Sequence, residues 1–137
     1  MTKNVLISLK GTQYSEGETN IEIIYTGVYF YKNNMHYIGY EEISDDGDKT
    51  RNTIKLGKGY VEITRRGIVE SEMKFIENVT TGTLYRTPYG SINMDIFTEI
   101  LDVLIRENNI RIKMKYSLAM DGEKGTECDM EIRIRPY

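Results

Sequence analysis

Ile110-Arg-Ile-Lys-Met-Lys-Tyr-Ser-Leu118 alternates apolar and polar residues without a break, and Cys128-Asp-Met-Glu-Ile-Arg-Ile-Arg135 does the same. A period of two belongs to a strand with one face buried and the other wet. The polar side of the first stretch is mainly basic (Arg111, Lys113, Lys115), and that of the second is largely acidic (Glu127, Asp129, Glu131). Between them, Asp121-Gly-Glu-Lys-Gly125 predicts a tight connection that folds the pair into a hairpin with opposite charges facing each other. The chain therefore reads as antiparallel and all-β.

Turn signals recur outward from this hairpin at roughly the 8–12-residue spacing of a barrel or sandwich. They fall at Ser15-Glu-Gly17, Lys32-Asn-Asn34, Asp45-Asp-Gly-Asp48, Gly57-Lys-Gly59, Arg66-Gly67, Glu77-Asn78, Pro88-Tyr-Gly90, Glu107-Asn-Asn109 and Asp121-Gly122. Each holds a residue that tolerates a positive φ or makes a local side-chain turn. About ten strands result. The stretch from Asn20 to Lys32 reads as the longest, with Gly27 marking a bend, bulge or close backbone approach. Its alternation shifts at Ile23-Ile24, which leaves its inner face unassigned.

One segment reads two ways. Phe97, Ile100, Leu101, Leu104 and Ile105 sit at helical spacing, yet Ile92, Met94 and Ile96 alternate as a strand. Leu101, Val103 and Ile105 then alternate in the opposite phase. A strand broken by a bulge near Thr98-Glu99-Ile100 accounts for that inversion and is the preferred reading. Closing the sheet removes its exposed edges, so a barrel of eight to ten strands is expected, with an open sandwich as the alternative.

Composition bounds the rest. The 137 residues carry 18 Lys+Arg against 21 Asp+Glu, without a basic run. That balance argues against nucleic-acid binding and against a membrane-surface role. A single domain over residues 1–137 is expected. One cysteine excludes an internal disulfide, and the N-terminal apolar run is too short for a signal peptide, so the expected location is the cytoplasm. The 11 Tyr, against 3 Phe and no Trp, suit β surfaces and can also aim hydroxyls into a semi-polar cavity.

An ordered series of segments resembles the YwiB-like family of uncharacterised bacterial proteins. It comprises Thr26-Gly-Val-Tyr-Phe-Tyr-Lys32, Tyr40-Glu-Glu42, Thr53-Ile-Lys55, Arg65-Arg-Gly67, Met73-Lys-Phe75, Tyr85-Arg-Thr-Pro-Tyr-Gly90, Met94-Asp-Ile-Phe-Thr98 and Tyr116. The resemblance implies a calycin-like barrel related in shape to lipocalins and fatty-acid-binding proteins. It implies no activity.

Most of the matched positions are polar. Tyr40 and Glu42 share one strand face, Ile63 and Arg65 another, Tyr85 and Thr87 a third. Pointing inward, they would gather a carboxylate, a guanidinium and hydroxyls, with Lys55 as a further candidate. Such groups must pair with one another or with a ligand, and a convergent polar cluster in an apolar cavity is the usual make-up of a small-molecule site. Arg65 is then the anion-pairing group. The competing structural reading is an internal Glu42–Arg65 ion pair that only sets strand register, with Glu41 outside.

Catalytic readings lack support. His36 is the only histidine and has no motif around it. Cys128 opens an apolar face and reads as core. Asp45-Asp-Gly-Asp48 lacks the spacing of a calcium loop, and Gly57-Lys-Gly59 lacks that of a phosphate loop. The expectation is a non-enzymatic barrel without metal or cofactor that binds a small, partly polar or anionic molecule. The alternative is a protein-interaction module or homodimer with a filled interior.

Overall fold

The computed structural model describes residues 3–14 and 17–137. Ten strands run in chain order: β1 (Asn4–Gln13), β2 (Thr19–Lys32), β3 (Met35–Ile43), β4 (Lys49–Gly57), β5 (Tyr60–Arg66), β6 (Ser71–Phe75), β7 (Thr80–Thr87), β8 (Gly90–Arg106), β9 (Asn109–Met120) and β10 (Glu123–Pro136). Every expected turn among the described residues separates two of them; Ser15 and Glu16 of the first lie outside. Asn33 and Asn34 both have positive φ, as do Asp121 and Gly122, the backbone that two-residue hairpin loops require. The longest strand is β8, of 17 residues, not β2, of 14; the bulge extends β8 past the point where its alternation inverts.

The strands form one antiparallel sheet in the order β6-β5-β4-β3-β2-β1-β10-β9-β8-β7. Its edges, β6 and β7, curl round to meet and make a nearly closed barrel. Glu70 and Arg86 exchange backbone hydrogen bonds of 3.0 and 2.9 Å. Elsewhere along the seam, threonine hydroxyls replace the ladder: Thr81 Oγ1 donates to the Lys74 carbonyl, and the Glu72 N–H donates to Thr83 Oγ1.

The β9–β10 register pairs Lys113 with Glu131 and Lys115 with Asp129, so the opposite charges do face each other on the outside. Inside, Ile110, Ile112, Ile132 and Ile134 are fully buried, each stabilising the fold by about 1.5–3 kcal/mol. In β8 the register shifts between Thr98 and Ile100. Met94 and Ile96 face inward before the shift, Leu101 and Val103 after it, as the strand–bulge–strand reading requires.

Gly27 is a point of close approach. A Cβ there would be driven into the Gly39 carbonyl oxygen and come within 2.7 Å of Ile7 Cδ1. At Gly39 the nearest neighbour of an added Cβ is Val28 Cγ2, at 3.7 Å. Gly27→Ala should therefore destabilise the barrel by about 1–3 kcal/mol more than Gly39→Ala in urea denaturation, the usual scale of overpacking. Equal losses would show that β2 can shift to absorb the methyl group.

Candidate functional site

Strand register builds a polar row on the inner wall. Gly27 lies opposite Tyr40, Tyr40 opposite Asn52, Asn52 opposite Arg65, and Arg65 opposite Ser71. Directly paired residues on neighbouring strands share a face, so five consecutive strands place one residue each in a single line. Glu42 joins the row from the next inward position of β3, opposite Thr50.

The contacts along the row are specific. Asn52 Nδ2 donates to Glu42 Oε1 at 2.8 Å, and Arg65 Nη2 reaches Glu42 Oε1 and Oε2 at 3.4 and 3.3 Å. The ion pair is partly open, with the Arg65 and Glu42 side chains 27% and 32% exposed. Asn52 and Ser71 are buried, at 1% and 3%. Arg65 Nε and Ser71 Oγ are both buried without a hydrogen-bond partner among the described residues. Tyr25 stacks on Tyr40 with ring centroids 4.7 Å apart. Burial, and then the Glu42 carboxylate, push both phenols above the ordinary tyrosine range, so each remains a neutral hydroxyl at physiological pH.

The expected residues fare differently. Tyr40, Glu42 and Arg65 come together, and Glu41 points outward to pair with Arg51 at 3.6 Å. Lys55 does not join them. It is paired in register with Tyr37 and Glu62 on the outer face, with Nζ 5.9 Å from the Tyr37 ring centroid. Ile54 and Leu56, both buried, claim the inward phase on either side of it. Thr87 is also excluded: its hydroxyl donates to the Gly90 carbonyl and accepts from the Tyr89 N–H, within its own hairpin turn. Tyr85 faces the interior opposite Ile92, but no hydrogen bond joins it to the Glu42–Arg65 pair. The anion-pairing role expected of Arg65 meets a guanidinium already neutralised by Glu42.

Asn52, Ser71 and Tyr25 complete the cluster. Alternation in Thr50-x-Asn52-x-Ile54-x-Leu56 and in Ser71-x-Met73-x-Phe75 puts Asn52 and Ser71 in phase with buried apolar residues. Tyr25 follows the Ile23-Ile24 break, where the sequence carries no usable phase.

Several concavities lie around the wall. A cleft of 130 Å³ lies among Leu9, Ile21, Ile23, Tyr116, Cys128 and Met130. A hollow of 370 Å³ opens at the β6–β7 seam beside Ser71, Arg66 and Arg86. A shallow outer groove of 680 Å³ runs over Val28, Gly39 and Thr53. Glu42 and Arg65 line none of these; their partly exposed ends meet solvent, while Arg65 Nε is buried. Cys128 is 2% exposed, and burial raises its thiol pKa, which leaves little thiolate for nucleophilic chemistry.

His36 lies at the opposite end of the barrel, where a 2.7 Å hydrogen bond joins its Nδ1 and the Tyr29 hydroxyl. Burial lowers its pKa, so the unfolded chain binds a proton that the folded chain resists. Stability then declines as pH drops through the unfolded histidine pKa and levels off below the folded one. The thermal midpoint should fall from about pH 7 to about pH 5.5, and His36→Asn should flatten that slope. An unchanged slope in the variant would assign the dependence to other groups.

The family model described as "Domain of unknown function (DUF1934)" matches residues 7–132. The "Uncharacterized beta-barrel protein YwiB" of Bacillus subtilis (strain 168) is 27% identical over 127 residues, spanning 90% of this chain and 89% of that protein. The crystal structure of the YwiB protein from Bacillus subtilis matches with a TM-score of 0.86 at 25% identity, covering 98% of this chain and 92% of that one.

Proposed function

The chain belongs to the family described as a domain of unknown function (DUF1934), a membership that bears out the YwiB-like resemblance and carries no activity, and we propose that it binds a small, partly polar molecule at the mouth of its barrel without catalysis. The observation that carries this reading is the partly open Glu42–Arg65 pair, with side chains 32% and 27% exposed at the end of an otherwise buried row. Its exposed carboxylate and guanidinium edges can hydrogen-bond a polar ligand that approaches from solvent. The aromatic wall of Tyr25 and Tyr40 beside the ion pair supplies apolar contact with polar edges, the usual composition of a small-molecule site.

The absence of catalysis is part of the proposal. The one histidine lies at the far end of the barrel, and the one thiol is buried among apolar neighbours. The shape analogy to calycins and a cytoplasmic location belong to the same reading, which uses neither nucleic acid nor membrane.

A second reading, contact with another protein or a second copy, draws on the outer groove. Val28, Phe30 and Ile43 are 42%, 48% and 66% exposed there. A stable dimer in sedimentation that Phe30→Asp dissolves would support it.

Native mass spectrometry of the gently purified protein tests the first reading. A bound small molecule is expected on the wild type and is expected to be lost from Tyr25→Ala and Arg65→Ala. Ser71→Ala, by contrast, should leave stability unchanged or raise it by up to about 1 kcal/mol, because it removes a buried, unpartnered hydroxyl. A ligand retained by both variants, or a wild type without ligand, would count against the site.

A further inference from the structure

Resting on the second of those readings, we infer that a second copy of this chain fills the outer groove. The two barrels pack β2, β3 and β4 face to face about a two-fold axis that runs across the strands.

The starting observation is a strand that is apolar on both faces. β2 turns Ile23 and Tyr25 inward, opposite Leu9 and Ile7. It turns Ile24, Val28 and Phe30 outward, where all three are exposed, Ile24 to 57%. That double-sided pattern is why the alternation breaks at Ile23-Ile24 in the sequence. An antiparallel strand with one wet face alternates cleanly, whereas a continuous apolar run belongs to a strand covered on both faces. The inner face of β2 is covered by the barrel. The strand edges of the sheet already meet at the β6–β7 seam, so a partner that covers the outer side must come by the face.

That face is hollowed where a barrel wall would bulge. Gly39 contributes no side chain at its middle, and the groove of 680 Å³ lies over it, between Phe30 and Ile43. Two further hollows, beside Lys3 and Tyr31 and beside Asn4 and Tyr137, meet the groove at Val28. The concave area therefore spans β1 to β4, broad enough to seat a sheet.

The pattern on the face is complementary to itself. Register sets Phe30 opposite Tyr37 and Val28 opposite Gly39, then Gly39 opposite Thr53 and Glu41 opposite Arg51. One end carries an aromatic pair, the Phe30 and Tyr37 rings stacked 4.9 Å apart. The other end, at the start of β2 and the close of β3, carries Ile24 and Ile43. A two-fold axis across the strands lays β2 on β2 and β3 on β3 with their directions reversed, the isologous arrangement of a closed dimer. The aromatic end of each copy then falls on the aliphatic end of the other. Between the ends, Glu41 drops over the Gly39 hollow, next to the Arg51 of the other copy. Within one chain Glu41 and Arg51 share a single contact of 3.6 Å between exposed side chains, which leaves both with hydrogen-bonding capacity. Two such pairs brought together make a ring of alternating charge, which fixes the orientation of the contact.

Sedimentation equilibrium of the full chain, from micromolar to submillimolar concentration, tests the inference together with native mass spectrometry. The wild type is expected to dimerise. Phe30→Asp and Ile43→Asp should each weaken the dimer by at least about thirtyfold, the scale of an interface anchor. Glu41→Arg and Arg51→Glu each fill the ring with like charges, so each should be monomeric alone. Mixed in equal amounts they should form a heterodimer of one copy of each, identified by its mass. All four substitutions change exposed side chains, and far-ultraviolet circular dichroism should show the variants folded.

A wild type that stays monomeric throughout would overturn the second copy, while the second reading would still stand on contact with a different protein. A dimer that neither Phe30→Asp nor Ile43→Asp weakens would overturn the groove as an interface, and that reading with it. Loss of the dimer in the charge variants without a heterodimer on mixing would overturn the two-fold packing across the strands.

Discussion

Closure of the sheet is the constraint on which everything else depends. With no helix or second sheet to cover it, this ten-stranded antiparallel sheet keeps one face dry by curving onto itself, and it does so with little help from the backbone ladder. At the β6–β7 seam, Glu70 and Arg86 supply two main-chain hydrogen bonds, and the hydroxyls of Thr81 and Thr83 satisfy backbone groups that a regular ladder would have paired. The edge problem common to all sheets is met here by side chains as much as by main chain. The close approach of β1, β2 and β3 at Gly27 serves the same curvature from the opposite wall.

Closure also decides what the interior can hold. One end of the barrel is filled by Leu56, Val61 and Phe75, all buried and in register with one another. Toward the other end, strand register lines up Tyr40, Asn52, Arg65 and Ser71 in one row. A carboxylate and a guanidinium inside a β-barrel add little net stability when paired and cost much when separated. Two further buried groups left without partners add a penalty that a core selected for stability alone would avoid. That polar row, ending in a partly open ion pair on an otherwise buried wall, is the physical ground for the proposed ligand at the mouth.

The legible parts of the fold are those governed by local rules. Turn residues mark where strands end, and a period of two marks which faces are buried. The bulge in β8 is readable because the hydrophobic phase inverts across Thr98-Glu99-Ile100. The same alternation excludes Lys55 from the interior, since Ile54 and Leu56 on either side of it require the inward phase; the resemblance points to it only as part of Thr53-Ile-Lys55. Thr87 illustrates a different limit. Its strand face is correct, but a hydroxyl next to Pro88 is taken by the turn it helps to form.

By itself, then, the sequence determined the antiparallel all-β class, a count of about ten strands, the bulge, and which of Tyr40, Glu42, Ile63 and Arg65 share a strand face, because each follows from residue type and a fixed repeat along the chain. Only the tertiary structure decided the row from Gly27 to Ser71, the stack of Tyr25 on Tyr40, and the neutralisation of Arg65 by Glu42. Those depend on registers between strands and on the closeness of their approach. Such quantities are set by closure of the whole sheet, and no local stretch of sequence encodes them.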